Sequence, residues 1–171
     1  MQPRISLWLL PAEPVYALLD EQIRTLARTY GGPVFVPHLT LYAPVSTDFV
    51  TLDLFVRAHL PPPFGVVCCG VGHSYAFFRS VVIETSLPPV LHDLHDALAT
   101  FAGKPGKPLY RPHISLVYQV LARPVREAIC RQVQVPAQCT FDRIAAVITG
   151  EGRHSWTDVQ RWQEIGRWQL G

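Results

Sequence analysis

The sequence predicts an α+β protein with one domain over residues 1–171, built from two pseudo-symmetric lobes. Two antiparallel sheets are expected to face a central cleft, with helices on their outer faces. Two observations predict this fold. The order strand, helix, loop, strand occurs twice along the chain, and the last strand of each copy carries the same five-residue pattern. We therefore expect a duplicated unit whose patterned strands face each other across the cleft.

Predicted strands and helices alternate in the first half of the chain. The apolar strand Ile5–Leu10 precedes a helix over Val15–Tyr30, whose apolar residues recur at near-helical spacing and which two glycines end. The first patterned strand covers Val34–Tyr42. A second helix over Phe49–His59 follows a Ser-Thr-Asp cap and stops at three prolines.

The second half repeats this order. The strands Phe64–Gly72 and Tyr75–Glu84 are expected to pair across a glycine turn, and a helix over Val90–Phe101 leads to the second patterned strand, Tyr110–Val120. The remaining expected elements are a helix over Arg123–Arg131 and strands over Gln134–Phe141 and Ile144–Thr149. A turn at Gly150–Gly152 and a closing strand with a bulge over Val159–Leu170 follow.

Composition indicates a globular protein with a mild positive charge. Of its residues 49% are hydrophobic and 16% charged, and the formal net charge is +2. Binding along duplex nucleic acid would need a clustered basic face, which this charge does not indicate. The first apolar run stops at Pro11, which is too early for a signal-peptide core or a membrane span. We expect a cytoplasmic monomer that does not associate with membranes.

The four cysteines do not follow the spacing of a zinc site, and a domain of this length does not need disulfide bonds for its stability. We expect reduced thiols, and a bridge between Cys130 and Cys139 stays open as an alternative.

The repeated pattern reads proline, histidine, aliphatic residue, hydroxyl residue, leucine. It occurs at Pro37–Leu41 and at Pro112–Leu116, 75 residues apart. Each proline favours an extended backbone where the chain enters its strand. Because side chains alternate faces along a strand, the histidine and the hydroxyl residue of each copy share one face. These two pairs are His38 with Thr40, and His113 with Ser115.

Two histidines and two hydroxyl groups suit phosphoester chemistry. A neutral imidazole can take a proton from water while a protonated one gives a proton to a leaving oxygen, and hydroxyl groups can donate hydrogen bonds to phosphate oxygens. The pairs lack the third ligand of a zinc site, and the chain has no G-x-S-x-G motif of serine hydrolases. We therefore expect neither a metal nor another cofactor.

At these residues the sequence resembles the 2H phosphoesterase superfamily, which is named for two H-x-[ST]-x motifs. Within that superfamily it most resembles the cyclic phosphodiesterase family. The similarity extends over nearly the whole chain, through the segments Ser6–Pro11, Gly32–His38, Phe77–Val81, Tyr110–Tyr118 and Trp162–Ile165.

The resemblance implies a bilobal fold and metal-independent hydrolysis of ADP-ribose 1″,2″-cyclic phosphate and nucleoside 2′,3′-cyclic phosphates to monoesters. The partner would then be a small cyclic phosphate. His38 and His113 would be the acid–base pair, and Thr40 and Ser115 would bind the phosphate. Three aromatic residues would line the substrate end of the cleft: Trp8, Phe78 and Tyr118.

Several neighbouring positions need separate interpretation. Tyr118 lies five residues after His113, so it reaches the same face only if the strand bends or has a bulge. Alternation along a strand places Arg79 opposite to Phe78, and we interpret Arg79 as structural. The Lys104–Pro108 loop is interpreted as solvated. Among the other histidines, His73 is a candidate for approaching the substrate, whereas His92 and His95 are assigned no role.

Two other functions stay open at this point. One is a 2H enzyme acting on RNA 3′ ends, such as a 2′,5′ RNA ligase-like phosphodiesterase, although the net charge of +2 gives little support for the basic groove it requires. The other is a non-catalytic nucleotide-binding module. The residues do not decide which histidine is the base or which ester oxygen leaves.

Overall fold

Strands and helices alternate through most of the chain in the computed structural model, which describes residues 4–105, 109–149 and 155–171. Those residues contain seven strands, five α-helices and a short 3-10 helix. In order, the elements are β1 Ile5–Pro11, α1 Val15–Tyr30, β2 Leu39–Val45, α2 Phe49–Ala58, β3 Phe64–His73, the 3-10 helix Phe77–Arg79, β4 Val81–Thr85, α3 Pro89–Phe101, β5 His113–Val117, α4 Arg123–Gln132, β6 Gln138–Ile148, α5 Trp156–Val159 and β7 Gln163–Gln169.

All described strands belong to one antiparallel sheet with the order β1-β2-β5-β4-β3-β6-β7. β1 also pairs with β6, which closes six of the strands into a barrel-like ring. The first part of β6 pairs with β3, and its second part lies between β1 and β7. The expected α+β class is confirmed, whereas the expected pair of facing sheets is not, because all described strands form one sheet. β6 also runs without a break over the range for which two strands are predicted.

Several predicted strands begin later than expected, among them the strand predicted from Tyr110, which begins at His113, and that predicted from Val159, which begins at Gln163. Two of these differences have local reasons. β2 begins at Leu39 because the approach to it contains Pro33 and Pro37, which have no N–H to donate to a sheet. The strand predicted from residue 75 begins only at Val81. A turn forms first, closed by a hydrogen bond from the Ser74 N–H to the Ser80 carbonyl oxygen (3.1 Å), and the 3-10 helix lies inside it.

The C-terminal strand has the predicted bulge. Ala146 pairs with Gly166 and Val147 pairs with Glu164, so Ile165 is the extra residue of β7. The glycine turn expected at 150–152 lies outside the described residues.

The apolar core fixes the two motif strands. The aliphatic residues of both motifs are at most 1% exposed and belong to one buried cluster. These residues are Leu39, Leu41, Ile114 and Leu116. Burial of each contributes about 1.5–3 kcal/mol, and their burial points the alternate residues of each motif, the histidine and the hydroxyl residue, away from the core.

The cysteines are free thiols, so the Cys130–Cys139 bridge does not form. Within the described ranges, no helix has the length and apolar character that crossing a bilayer requires.

Candidate active site

The two motif strands are neighbours in the sheet. β2 pairs with β5 at Leu39 and Ile114, and the same antiparallel register brings the histidine of each motif opposite the hydroxyl residue of the other. The facing pairs are His38 with Ser115, and Thr40 with His113. Diagonal neighbours across two strands lie about 7–8 Å apart. The two imidazoles are therefore diagonal neighbours, and both line one cavity.

A cavity of about 400 Å³ opens over these residues. Its wall includes all seven residues singled out from the sequence: Trp8, His38, Thr40, Phe78, His113, Ser115 and Tyr118. Arg4 and Arg79 also line it, and no carboxylate is among the described lining residues. Such a wall favours an anionic ligand with an aromatic or sugar portion.

The His38 ring is held in one tautomer. Its Nδ1 lies 2.7 Å from the carbonyl oxygen of Val36, and because a carbonyl only accepts, Nδ1 donates and Nε2 is left as an acceptor. Trp8 stacks on the ring with centroids 3.8 Å apart. The Tyr118 hydroxyl donates to Nε2 at 3.3 Å, and burial raises the pKa of this tyrosine, which keeps its proton on.

Burial also sets the protonation of His38. The residue is 4% exposed, and loss of solvation, with a smaller contribution from the charge of His113, lowers the pKa of His38 to about 4. The Val36 hydrogen bond opposes this shift. His38 is therefore neutral at physiological pH.

His113 has the same orientation in a more open position. Its Nδ1 lies 3.0 Å from the carbonyl oxygen of Arg111, which again leaves Nε2 available. Burial lowers the pKa of His113, the Arg111 hydrogen bond raises it, the charge of Arg79 lowers it and the charge of Glu84 raises it. In both motifs the accepting carbonyl belongs to the residue before the proline. The orientation of the imidazole is therefore fixed locally, by the backbone next to each Pro-His pair.

The two motif hydroxyl groups differ in their partners. Ser115 Oγ donates to the carbonyl oxygen of Phe78 at 2.8 Å. The Thr40 hydroxyl has no hydrogen-bond partner in the described part of the chain, although the Thr40 carbonyl accepts from the Tyr110 hydroxyl at 2.9 Å. The Thr40 hydroxyl can therefore donate a hydrogen bond directly to a ligand. The hydrogen bond from Ser115 instead holds Phe78 in place on the cavity wall.

Tyr118 reaches the cavity because β5 has a bulge. Val82 pairs with Ser115 and Val81 with Val117, so Leu116 is the extra residue and the strand's alternation is reversed after it. The Tyr118 ring stacks on Phe35 with centroids 3.7 Å apart. The bulge that Tyr118 needs to reach the face of His113 is therefore present in β5.

Arg79 lies on the cavity wall, and the interpretation of it as a residue of the opposite face is wrong. Residues 77–79 form a 3-10 helix, in which neighbouring side chains do not alternate between two faces. The Arg79 carbonyl accepts from Ser74 Oγ at 2.8 Å. Beside this segment, the buried Arg126 places its guanidinium 3.8 Å from the centre of the Tyr75 ring.

Trp162 and Ser6 are cavity residues that sequence reasoning did not select. Ser6 accepts from Trp8 Nε1 at 2.7 Å, and strand alternation in β1 could have identified it. Trp162 lies 5.4 Å from Trp8 between ring centroids. It precedes β7 in a turn, where no periodic pattern indicates its direction. Arg4 and Thr149 also line the cavity without a distinctive sequence signal.

The other histidines lie elsewhere. His73 contacts Arg126 at 3.4 Å and is not among the described residues of the cavity wall. His92 is exposed beside Asp96, and His95 is buried, where it stacks on Tyr110. Lys104 is exposed and outside the wall, and Lys107 lies outside the described residues.

Comparison with known proteins gives a family and a fold. The family model "Cyclic phosphodiesterase-like protein" matches residues 1–170. No curated protein matches the sequence. A crystal structure titled as a phosphoesterase is similar with a TM-score of 0.61 at 17% identity over 99% of both chains. The E. coli LigT structures with phosphate and with 3′-AMP each have a TM-score of 0.59 at 19% identity over 99% of both chains.

Proposed function

The chain belongs to the cyclic phosphodiesterase-like family, and we propose that it hydrolyses ADP-ribose 1″,2″-cyclic phosphate and nucleoside 2′,3′-cyclic phosphates to monoesters without a metal ion. The observation that carries this proposal is the placement of two imidazoles on one cavity wall, each with Nδ1 bound to a carbonyl and Nε2 left for chemistry. E. coli LigT, which shares the fold, has been solved with phosphate and 3′-AMP. Those ligands support a small phosphorylated partner.

His38 suits the role of general base. Its low pKa keeps Nε2 unprotonated at neutral pH, and Trp8 stacking fixes the plane of the ring. A water molecule would take the place of the Tyr118 hydroxyl at Nε2 and lose a proton there as its oxygen attacks phosphorus.

His113 suits the role of general acid. It is half-buried, and the negative charge of a bound phosphodiester favours its protonated form. As the bond between phosphorus and the ribose oxygen breaks, His113 Nε2 gives its proton to that oxygen. The bond from water to phosphorus replaces the broken one, and the net change is addition of one water molecule.

Thr40 and Arg79 are proposed to stabilise the transition state. Negative charge grows on the non-bridging phosphate oxygens, and both side chains lie on the cavity wall with hydrogen-bond donors. Trp8, Phe78 and Tyr118 would contact the sugar and base. Ser115 is proposed to act on the phosphate site through its hold on the Phe78 carbonyl.

Phosphorus NMR tests the proposed function. The protein, with and without EDTA, is incubated with ADP-ribose 1″,2″-cyclic phosphate or 2′,3′-cyclic AMP. We expect each cyclic signal to convert to one monoester signal, whose chemical shift identifies the oxygen that leaves. Saturable binding of both compounds without conversion would instead support a non-catalytic nucleotide-binding module. Conversion that stops in EDTA would contradict the metal-independent reaction.

A further inference from the structure

A carboxylate lies beside one of the two histidines. Glu84 on β4 is paired directly with His113 on β5. Directly opposite residues of antiparallel strands point to the same face, with Cβ atoms about 4.5–5.5 Å apart. Glu84 is exposed and is not among the described residues that line the cavity, so it does not occupy the substrate's place.

Gly72 determines where the Glu84 carboxylate rests. A Cβ atom on Gly72 would lie only 2.8 Å from Glu84 Oε1, so the carboxylate lies over this glycine. Gly72 belongs to β3, on the far side of β4 from β5. The carboxylate therefore acts on His113 by its charge across the strand and leaves His113 Nε2 open to a ligand.

The charged groups around His113 differ from those around His38. Glu84 faces His113 from β4, Arg79 from the 3-10 helix and His38 from the residue before β2, while Tyr118 directly follows the end of β5. Burial has the largest effect and disfavours the protonated imidazole, the charge of Arg79 also disfavours it, and the charge of Glu84 favours it. The pKa of His38 responds to burial, to the Val36 hydrogen bond and to the charge of His113, and among the described residues no carboxylate shifts it.

We propose that Glu84, resting over Gly72 and opposite His113, is the positioning residue that makes His113 the proton donor of the pair. This inference rests on the proposed function. Glu84 holds a negative charge beside one imidazole only, which counteracts Arg79 and separates the roles of two otherwise similar motifs. The Glu84 charge acts on His113 in the direction opposite to the Arg79 charge, so it favours the proton that the leaving oxygen needs.

The test is the protonation midpoint of His113 in Glu84→Gln, measured by NMR on the full chain, together with kcat/KM for 2′,3′-cyclic AMP against pH. The ring signal is assigned from the spectrum of His113→Gln. We expect the midpoint and the alkaline limb to move together to lower pH by about half a unit, and kcat/KM above the limb to fall by about threefold. Glu84→Asp, which keeps the charge, should restore most of both values.

Glu127→Gln is the matched control, because Glu127 pairs with Arg123 on α4 away from the cavity wall. It should move neither the midpoint nor the limb. An unchanged His113 midpoint in Glu84→Gln would overturn the inference, and so would a shifted midpoint with an unmoved alkaline limb. The NMR measurement needs no turnover, so a protein that fails to hydrolyse the substrate contradicts the proposed function separately from the link between Glu84 and His113.

Discussion

At the scale of single residues, the two motif histidines share an orientation and differ in their surroundings. Each donates from Nδ1 to the carbonyl two residues earlier, across its proline. His38 is buried under Trp8, whereas His113 is half-buried near Arg79 and Glu84. Identical local chemistry therefore gives two imidazoles that share an orientation but differ in burial and in the charges around them.

The buried, neutral His38 should make stability depend on pH. Its pKa is about 4 in the folded protein against 6.5 for an exposed histidine, so between these values the unfolded chain binds a proton that the folded chain does not. The free energy of unfolding should fall by about 3 kcal/mol in total as pH decreases from 6.5 to 4, and this contribution should change no further below 4.

Urea unfolding of the wild type and His38→Gln at a series of pH values measures this contribution. Titrating groups away from the cavity act equally in both proteins, so the difference between their two curves reports His38 together with its smaller coupling to His113. We expect the difference to change through this pH window. Curves that stay parallel from pH 7 to pH 4 would contradict the burial of a neutral imidazole at this position.

At the scale of elements, the cavity depends on one short segment between β3 and β4. The 3-10 helix Phe77–Arg79 places Phe78 and Arg79 on the wall. Ser115 on β5 holds it through the Phe78 carbonyl. Beside its start, Tyr75 lies on the buried guanidinium of Arg126. The segment is therefore held from β5 and from α4.

The two motif hydroxyl groups should differ when each is removed. Ser115→Ala leaves the Phe78 carbonyl without its donor, which should cost about 1–3 kcal/mol of stability and speed amide hydrogen exchange around residues 77–80. Thr40→Val keeps the shape of the side chain and removes only the hydroxyl of a residue that lines the cavity. It should lower kcat by tenfold or more while stability stays within about 0.5 kcal/mol.

Denaturant unfolding, hydrogen exchange and steady-state kinetics on the same two variants measure these effects. Equal losses of stability in both variants would contradict the division of roles between Thr40 and Ser115.

The sequence predicts the two motifs well because their information is local. A proline, period-two alternation and buried aliphatic residues determine which way His38 and His113 point. Arg79 was misassigned because a hydrogen-bonded turn replaced the strand on which alternation was assumed. Tyr118 depends on the register between β4 and β5, where one extra residue reverses the face. Such registers are set by contacts between distant segments and cannot be predicted from the sequence of one strand.

At the scale of the whole molecule, the closed sheet brings distant parts of the chain to one cavity. Trp8 of β1 and the residues of the two motifs line this cavity. Trp162, directly before β7, lines it as well. Helix and strand order could be predicted from apolar periodicity, whereas ring closure through β1 and β6 could not, because it joins residues 130 or more positions apart. A seven-stranded sheet with both motif strands adjacent is the result.

The most direct test of the account is turnover of 2′,3′-cyclic AMP by His38→Ala and His113→Ala. Each substitution removes one proton-transfer group, so each should lower kcat by a factor on the order of hundreds or more, with the far-ultraviolet circular dichroism spectrum unchanged. His92→Ala is the matched control, since His92 is exposed on α3 beside Asp96 and outside the cavity wall, and should keep wild-type turnover. Turnover near the wild-type value in either motif variant would contradict the two-histidine mechanism.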